Sequence, residues 1–119
     1  MPHFCIDCSE EILNQTPEKE ILETVYKAAL STQLFASTGI GGVKVRINPF
    51  KQYITSDQKC DFIHVFAHIM EGRNEDQKKD LSKKVVGKLA ELLPSVPIIS
   101  LTFLDIEKAS YCNKGILEM

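Results

Sequence analysis

The chain has 119 residues, of which 44% are hydrophobic and 25% charged, and its formal net charge is −2 at pH 7. This length and composition predict a single domain over residues 1–119. The net charge of −2 and the lack of a basic tail argue against nucleic acid as the main partner. No segment is long and apolar enough to span a membrane and no signal peptide is recognisable, so we expect a cytoplasmic protein with no membrane contact.

The first strand and the first helix follow each other directly. Residues 2–8 predict a strand, and a polar stretch comes after it. Thr16 and Pro17 are typical of a helix start, because the hydroxyl can act as N-cap and proline fits the first helical position. The apolar stripe of this helix fades near Phe35.

Two further strands precede the second helix. Residues 43–47 alternate apolar and charged, as a half-buried strand does, and Asn48-Pro49 should end that strand. A short additional piece of strand is predicted at residues 52–55. The mostly apolar run over residues 62–70 predicts a central strand.

The second half of the chain repeats the β-α-β order. A helix is predicted to start near Asn74, with acidic residues in its first turn, and its lysines are typical of a solvated helix face rather than a binding patch. Residues 97–104 predict the last strand, and the tail to Met119 is expected to be irregular. Two such units favour an α+β fold, namely a four-stranded mixed sheet with both helices on one face.

The cysteines and histidines raise the question of a metal or redox site. Cys5 and Cys8 form a C-x-x-C motif, but residues three apart on a strand point to opposite faces. His64 and His68 would lie about 13 Å apart on a strand, too far to share an ion. We therefore expect no metal site, and we interpret the cysteines as small buried thiols in a reducing compartment.

Pro2 is a candidate general base. Removal of the initiator methionine would leave a secondary amine, and an α-amino group titrates close to neutral pH. Burial and nearby cations lower the pKa of such an amine further, so it can act as a base without histidine. The alternative is that Pro2 has no function beyond starting the chain. His3 adjoins Pro2 and is a weaker candidate to tune it.

Arginine is used sparingly. Of 14 basic residues, two are arginines, Arg46 and Arg73. A guanidinium group offers a rigid fork that matches a carboxylate, and lysine does not. Arg73 lies beside the predicted start of the second helix, where anions are favoured, and Lys44 shares a strand face with Arg46. These three residues are candidates for binding a planar anion, although two ordinary surface arginines would explain the same pattern.

Four short stretches occur in the same order and at similar spacing in one known family. Residues 2–10 begin Pro-His-Phe and continue Ile-Asp-Cys-Ser-Glu after Cys5. Residues 41–46 look like a Gly-Gly-Ile-Arg-x-Arg strand, and residues 61–65 look like an Asp-Tyr/Phe-x-x-Val strand. Residues 72–75 look like a Gly-Arg-Ser-Glu turn. Together they resemble the 5-carboxymethyl-2-hydroxymuconate Δ-isomerases, a branch of the tautomerase superfamily.

The resemblance implies a homotrimeric isomerase without a cofactor, acting on an unsaturated dicarboxylate from homoprotocatechuate degradation. It implies Pro2 as the base, with Arg73 and Arg46 in substrate binding. Lys44 stands where the strand motif usually has its first arginine, and it offers a point charge instead of a fork. Two alternatives stay open: a tautomerase for another 2-hydroxydienoate or an arylpyruvate, and a non-catalytic trimeric binding protein.

Overall fold

The computed structural model describes residues 1–36, 42–56 and 59–119. Four strands, two long helices and two short helical segments follow in chain order: β1 (His3–Ser9), a 3₁₀ segment (Glu10–Asn14), α1 (Glu18–Ser31), β2 (Lys44–Phe50), β3 (Phe62–Met70), α2 (Glu75–Leu92), β4 (Ile98–Ile106) and α3 (Lys114–Leu117). None of the helices in these ranges is long and apolar enough to cross a membrane.

The strands form one mixed sheet in the order β2-β1-β3-β4. Each β-α-β unit pairs its own strands in parallel, and the two units meet where β1 runs antiparallel to β3. His3 lies opposite both Lys44 of β2 and His68 of β3. The start of β1 therefore lies beside the start of β2 and the end of β3, and the predicted α+β fold is confirmed.

Both long helices cover one face of the sheet. Every second residue of β1 and β3 is buried there against the apolar stripes of α1 and α2, and the fully buried members include Phe4, Ile6, Val65, Ile21, Val25, Leu81 and Leu89. Burial of each large apolar side chain contributes about 1.5–3 kcal/mol. The alternate strand residues lie on the other face, which we call the open face: Lys44, Arg46, His3, Cys5, Asp7 and His64.

The predicted element boundaries need four corrections in the first half of the chain. Helix α1 ends at Ser31 rather than near Phe35, because the chain leaves the helical conformation at Gln33, whose φ is 61°. The N-cap of α1 is Pro17 rather than Thr16, because the Thr16 N–H still donates to the Ile12 carbonyl (3.1 Å) of the preceding 3₁₀ turn. Strand β2 does not end at Asn48-Pro49 but continues to Phe50. It is an edge strand, where a missing N–H can face solvent without breaking the ladder. Residues 51–56 form bends and irregular chain, so the extra strand predicted at 52–55 was wrong.

The second half needs two smaller corrections. Strand β4 begins at Ile98 and extends to Ile106, two residues beyond the predicted end. The tail is not wholly irregular, because Asn113 caps the short helix α3 through a hydrogen bond that its side chain accepts from the Ile116 N–H (2.8 Å). The predicted strand at 62–70 and the helix start at Asn74 are confirmed.

Cys5 and Cys8 lie on opposite faces of β1, as predicted. Cys8 is fully buried among core residues, whereas Cys5 on the open face and Cys60 are partly exposed and Cys112 is exposed, so the expectation that all four thiols are buried was wrong. Burial raises the pKa of the Cys8 thiol to about 11. Gly41, which opens the motif at residues 41–46, lies outside the described residues.

Candidate active site

Pro2 is buried at the start of β1. Its carbonyl accepts a hydrogen bond from the backbone N–H of Lys44 (3.0 Å), which fixes the chain start against β2 instead of leaving it frayed. Met1 precedes it in this chain, and the terminal amine donates to the Gly42 carbonyl (3.4 Å). Pro2 nitrogen is therefore an amide here and becomes an amine only when Met1 is removed.

Lys44 places a cation beside the N-terminus. Its Nζ donates to the Gly42 carbonyl (3.0 Å), the same oxygen that accepts from the terminal amine. Burial lowers the pKa of that amine, and the hydrogen-bonding and charge of Lys44 lower it further. The position thus favours a neutral amine, which is the form that can accept a proton.

A cavity of about 640 Å³ opens at this N-terminus. Its lining comes from the starts of β1 and β2 and from the C-terminal segment: Met1, His3, Gly42, Lys44, Tyr111, Asn113, Lys114, Gly115 and Glu118. The volume lies within the usual range for small-molecule sites. Two lysines and the terminal amine oppose one carboxylate, so the cavity suits a small anion.

Arg46 lies one pleat further along β2 and contacts this cavity through His3. Its Nη1 donates to His3 Nδ1 (3.0 Å), so the imidazole accepts at Nδ1 while it is neutral. Partial burial lowers the pKa of His3, and the charges of Arg46 and Lys44 lower it further. Arg46 itself lines a separate recess of about 350 Å³ on the open face.

Arg73 lies at the same end of the sheet, just after β3. Its Nη2 donates to the Leu34 carbonyl (3.0 Å) and its Nη1 to the Met70 carbonyl (3.4 Å). The guanidinium carbon is 5.5 Å from the centre of the Phe35 ring, which in turn packs edge-on against Phe4. Arg73 thus ties the end of α1 to the end of β3.

The turn that carries Arg73 is fixed by residues next to it in the sequence. Gly72 has a φ of 114°, which residues with a Cβ rarely adopt. Directly after Arg73, Asn74 and Gln77 form a capping box: Asn74 Oδ1 accepts from the Gln77 N–H (2.8 Å), and Gln77 Oε1 accepts from the Asn74 N–H (3.0 Å). Arg73 lines a second cavity of about 370 Å³, together with Glu71 and Lys108 among others.

The predicted site residues are therefore only partly brought together. Lys44 lies beside Pro2 and lines the larger cavity, which the Pro2 residue itself does not line. Arg46 adjoins that cavity through His3, and Arg73 lines a different cavity at the same sheet end. The sequence analysis missed the tail residues Tyr111 and Lys114, because nothing in an apparently irregular tail indicates that it folds back on the chain start. Within the described residues no group of three or more His, Cys, Asp or Glu side chains could hold a metal ion.

Comparisons with known proteins identify a family and a fold. A sequence model of the 5-carboxymethyl-2-hydroxymuconate isomerase family matches residues 2–107. No curated protein sequence matches the chain. A crystal structure of a 5-carboxymethyl-2-hydroxymuconate isomerase from Deinococcus radiodurans R1 superimposes with a TM-score of 0.80 at 19% identity, covering 95% of this chain and 88% of that one.

Two other solved structures share the fold. One is a 5-carboxymethyl-2-hydroxymuconate delta-isomerase, with a TM-score of 0.72 at 20% identity over 96% of this chain and 87% of that chain. The other is an asymmetric trimer of a fused 4-OT protein, with a TM-score of 0.71 at 13% identity over 95% of this chain and 93% of that chain. At these identities the similarity establishes the fold.

Proposed function

The chain belongs to the 5-carboxymethyl-2-hydroxymuconate isomerase family, and from this premise we propose that it isomerises a 2-hydroxymuconate-type unsaturated dicarboxylate with the Pro2 amine as general base and without a cofactor. The family supports a tautomerase-type isomerase. The identity of the substrate and the role of Pro2 as the base are our proposal. The matched segment begins at Pro2 itself.

The observation that carries the proposal is the position of the chain start. Pro2 is buried and held by Lys44, and the ammonium group of Lys44 shares the Gly42 carbonyl with the terminal amine. When Met1 leaves, the terminal amine becomes that of Pro2, one residue further into the same environment. Burial and the adjacent cation disfavour the prolinium form, so the amine is available as a base near neutral pH.

The proposed reaction moves one proton and one double bond. Neutral Pro2 accepts the proton of the enol hydroxyl, and the electrons of the broken O–H bond delocalise into a dienolate. The prolinium then returns the proton to the vinylogous carbon, which regenerates the base. No electron is gained or lost overall, and cationic side chains stabilise the dienolate charge as it develops.

In this proposal Lys44, Arg46 and Arg73 supply positive charge around the diacid. Lys44 is nearest to the base and binds one carboxylate. Arg46 and Arg73 flank the site, although in the single chain their guanidinium groups are engaged by His3 and by two backbone carbonyls, respectively. We extend the proposal to a homotrimer, which the trimeric fused 4-OT structure supports.

The test compares three samples whose N-termini are verified by intact mass. They are the chain lacking Met1, the same chain retaining Met1, and Pro2→Ala. The Met1-retaining protein is a matched control because the fold accommodates Met1 while the proline nitrogen is an amide. We expect ketonisation of 2-hydroxymuconate by the first sample and a loss of at least about 10²-fold in kcat/KM for the second.

Each alternative outcome has a clear meaning. Equal turnover with and without Met1 would contradict the Pro2 base. Turnover of arylpyruvate enols but not of 2-hydroxymuconate would keep the base and overturn the substrate. No turnover of any enol by the chain lacking Met1 would overturn the proposed activity and leave a binding protein.

A further inference from the structure

The C-terminal segment, residues 108–119, contacts both cavities. Lys108 lines the cavity of Arg73, and Tyr111, Asn113, Lys114, Gly115 and Glu118 line the cavity at the N-terminus. The family match ends at residue 107. The segment is therefore a part of this chain that the family pattern does not describe, although it forms much of the wall of the candidate site.

The segment is held in place by specific hydrogen bonds. The Lys108 N–H donates to Glu71 Oε2 (2.6 Å), which anchors the segment to the turn before Arg73. The Tyr111 N–H donates to the Glu107 carbonyl (3.2 Å), and Asn113 caps helix α3. This geometry places Lys114 and Glu118 one helical turn apart at the cavity.

Lys114 and Glu118 form a weak ion pair. The Nζ–Oε1 distance is 3.8 Å, and the side chains are 87% and 63% exposed. An exposed pair of this kind contributes little, so a ligand carboxylate can displace Glu118 from Lys114. The cavity then offers two ammonium groups from separate elements, one from Lys44 on β2 and one from Lys114 on α3.

We propose that Lys114 is a specificity-determining residue, which binds the second carboxylate of a linear diacid whose first carboxylate is bound by Lys44, and that Glu118 competes for it. The inference rests on the proposed function for the choice of a diacid, but it does not depend on proton transfer at Pro2. It also gives a reason why Lys44 suffices where the family motif has an arginine. The second carboxylate is bound by a residue outside that motif.

The experiment is a calorimetric titration with two unreactive probes. Muconate and sorbate share a six-carbon diene and differ by one carboxylate, and neither carries the 2-hydroxyl group. We expect Lys114→Ala to weaken muconate binding about three- to fivefold and to leave sorbate binding unchanged. Glu118→Gln should tighten muconate binding, because it removes the competitor.

Lys19→Ala is the matched control. Lys19 forms a similarly exposed pair with Glu23, also one helical turn apart (4.0 Å), and lies on α1 outside the cavity. A segment with only a structural role would make both Lys114→Ala and Glu118→Gln weaken binding. That result, or an unchanged muconate-to-sorbate ratio in Lys114→Ala, overturns the inference. Failure of the proposed function is seen separately, as the absence of Pro2-dependent turnover.

Discussion

Lys44 makes two hydrogen bonds at the N-terminus of the chain. Its backbone N–H donates to the Pro2 carbonyl over 3.0 Å, and its side-chain Nζ donates to the Gly42 carbonyl beside the terminal amine. The first contact belongs to the strand ladder and survives any substitution except proline. The second depends on the ammonium group. Substitutions at Lys44 therefore separate the effect of charge on the N-terminus from its placement.

The first prediction concerns the pKa of the terminal amine. Burial lowers this pKa, and Lys44 lowers it further through its hydrogen-bonding and its charge. We expect Lys44→Ala to raise the pKa of the Pro2 amine in the chain lacking Met1, so the acid limb of kcat/KM moves to higher pH. Nitrogen-15 NMR titration of Pro2 measures the pKa directly, and a pH–rate profile measures its consequence.

Lys44→Arg is the control, because it keeps the charge and changes the shape of the donor. It should leave the amine pKa near that of the parent chain. An unchanged pKa in Lys44→Ala would show that burial alone sets the basicity of the amine. A rise of equal size in both variants would mean that the position of the ammonium matters more than its charge.

The second prediction concerns His3 and acid stability. Partial burial lowers the pKa of His3, and Arg46 and Lys44 lower it further. The unfolded chain therefore binds this proton at higher pH than the folded chain does. As pH falls below about 6.5 the free energy of unfolding should decrease, and the decrease should level off below the lowered folded pKa. Denaturant unfolding between pH 7.5 and pH 5 measures this dependence.

Two variants test the cause. His3→Gln removes the titrating group and keeps an acceptor for Arg46, so its stability should depend less on pH over this range. Arg46→Gln removes the nearby charge, so the pKa of His3 followed by proton NMR should rise. A His3 pKa that does not change in Arg46→Gln would assign the whole shift to burial and the remaining charges.

The third prediction concerns Arg73. A lysine cannot reproduce the two donors that contact the Leu34 and Met70 carbonyls. We expect Arg73→Lys to lower the free energy of unfolding by about 1–2 kcal/mol. If Arg73 also binds a substrate carboxylate, KM should rise more for a diacid than for a monoacid. Equal changes for the two substrates would limit Arg73 to joining α1 and β3.

The sheet and its two helices were predictable because each rests on a local pattern. Alternation at residues 2–8 matches the one-sided burial of β1, and the apolar run at 62–70 predicts β3, in which every second residue is buried and the others are partly exposed. Asn74 carries its own capping signal. The errors arose where tertiary position decides. Pro49 reads as a strand end, yet on an edge strand it costs no ladder bond, and the sequence does not reveal that β2 is at the edge.

The sequence predicted candidate residues for the site but not their geometry. Pro2 and Lys44 meet because parallel pairing of β1 and β2 sets the register, which the motifs alone do not give. Arg73 was expected to bind an anion from its place before α2. In the structure the Arg73 guanidinium group donates to the Leu34 and Met70 carbonyls. The position of the Leu34 carbonyl depends on how the chain packs after α1. The contribution of Lys114 depends on the path of the tail, for which no periodic signal exists.

The last prediction concerns the thiols. Cys8 is fully buried and its pKa is raised to about 11, whereas Cys112 is exposed. Because the thiolate is the reactive form, a thiol reagent at pH 8 should modify Cys112 in the folded protein and reach Cys8 only after unfolding. Cys112→Ser, followed by mass spectrometry of labelled peptides, is the control for the labelling that occurs in the folded protein.

Cys5 and Cys8 point to opposite faces of β1, about 10 Å apart along the strand, so mild oxidation should not join them. A Cys5–Cys8 disulfide in the folded protein would contradict this strand geometry.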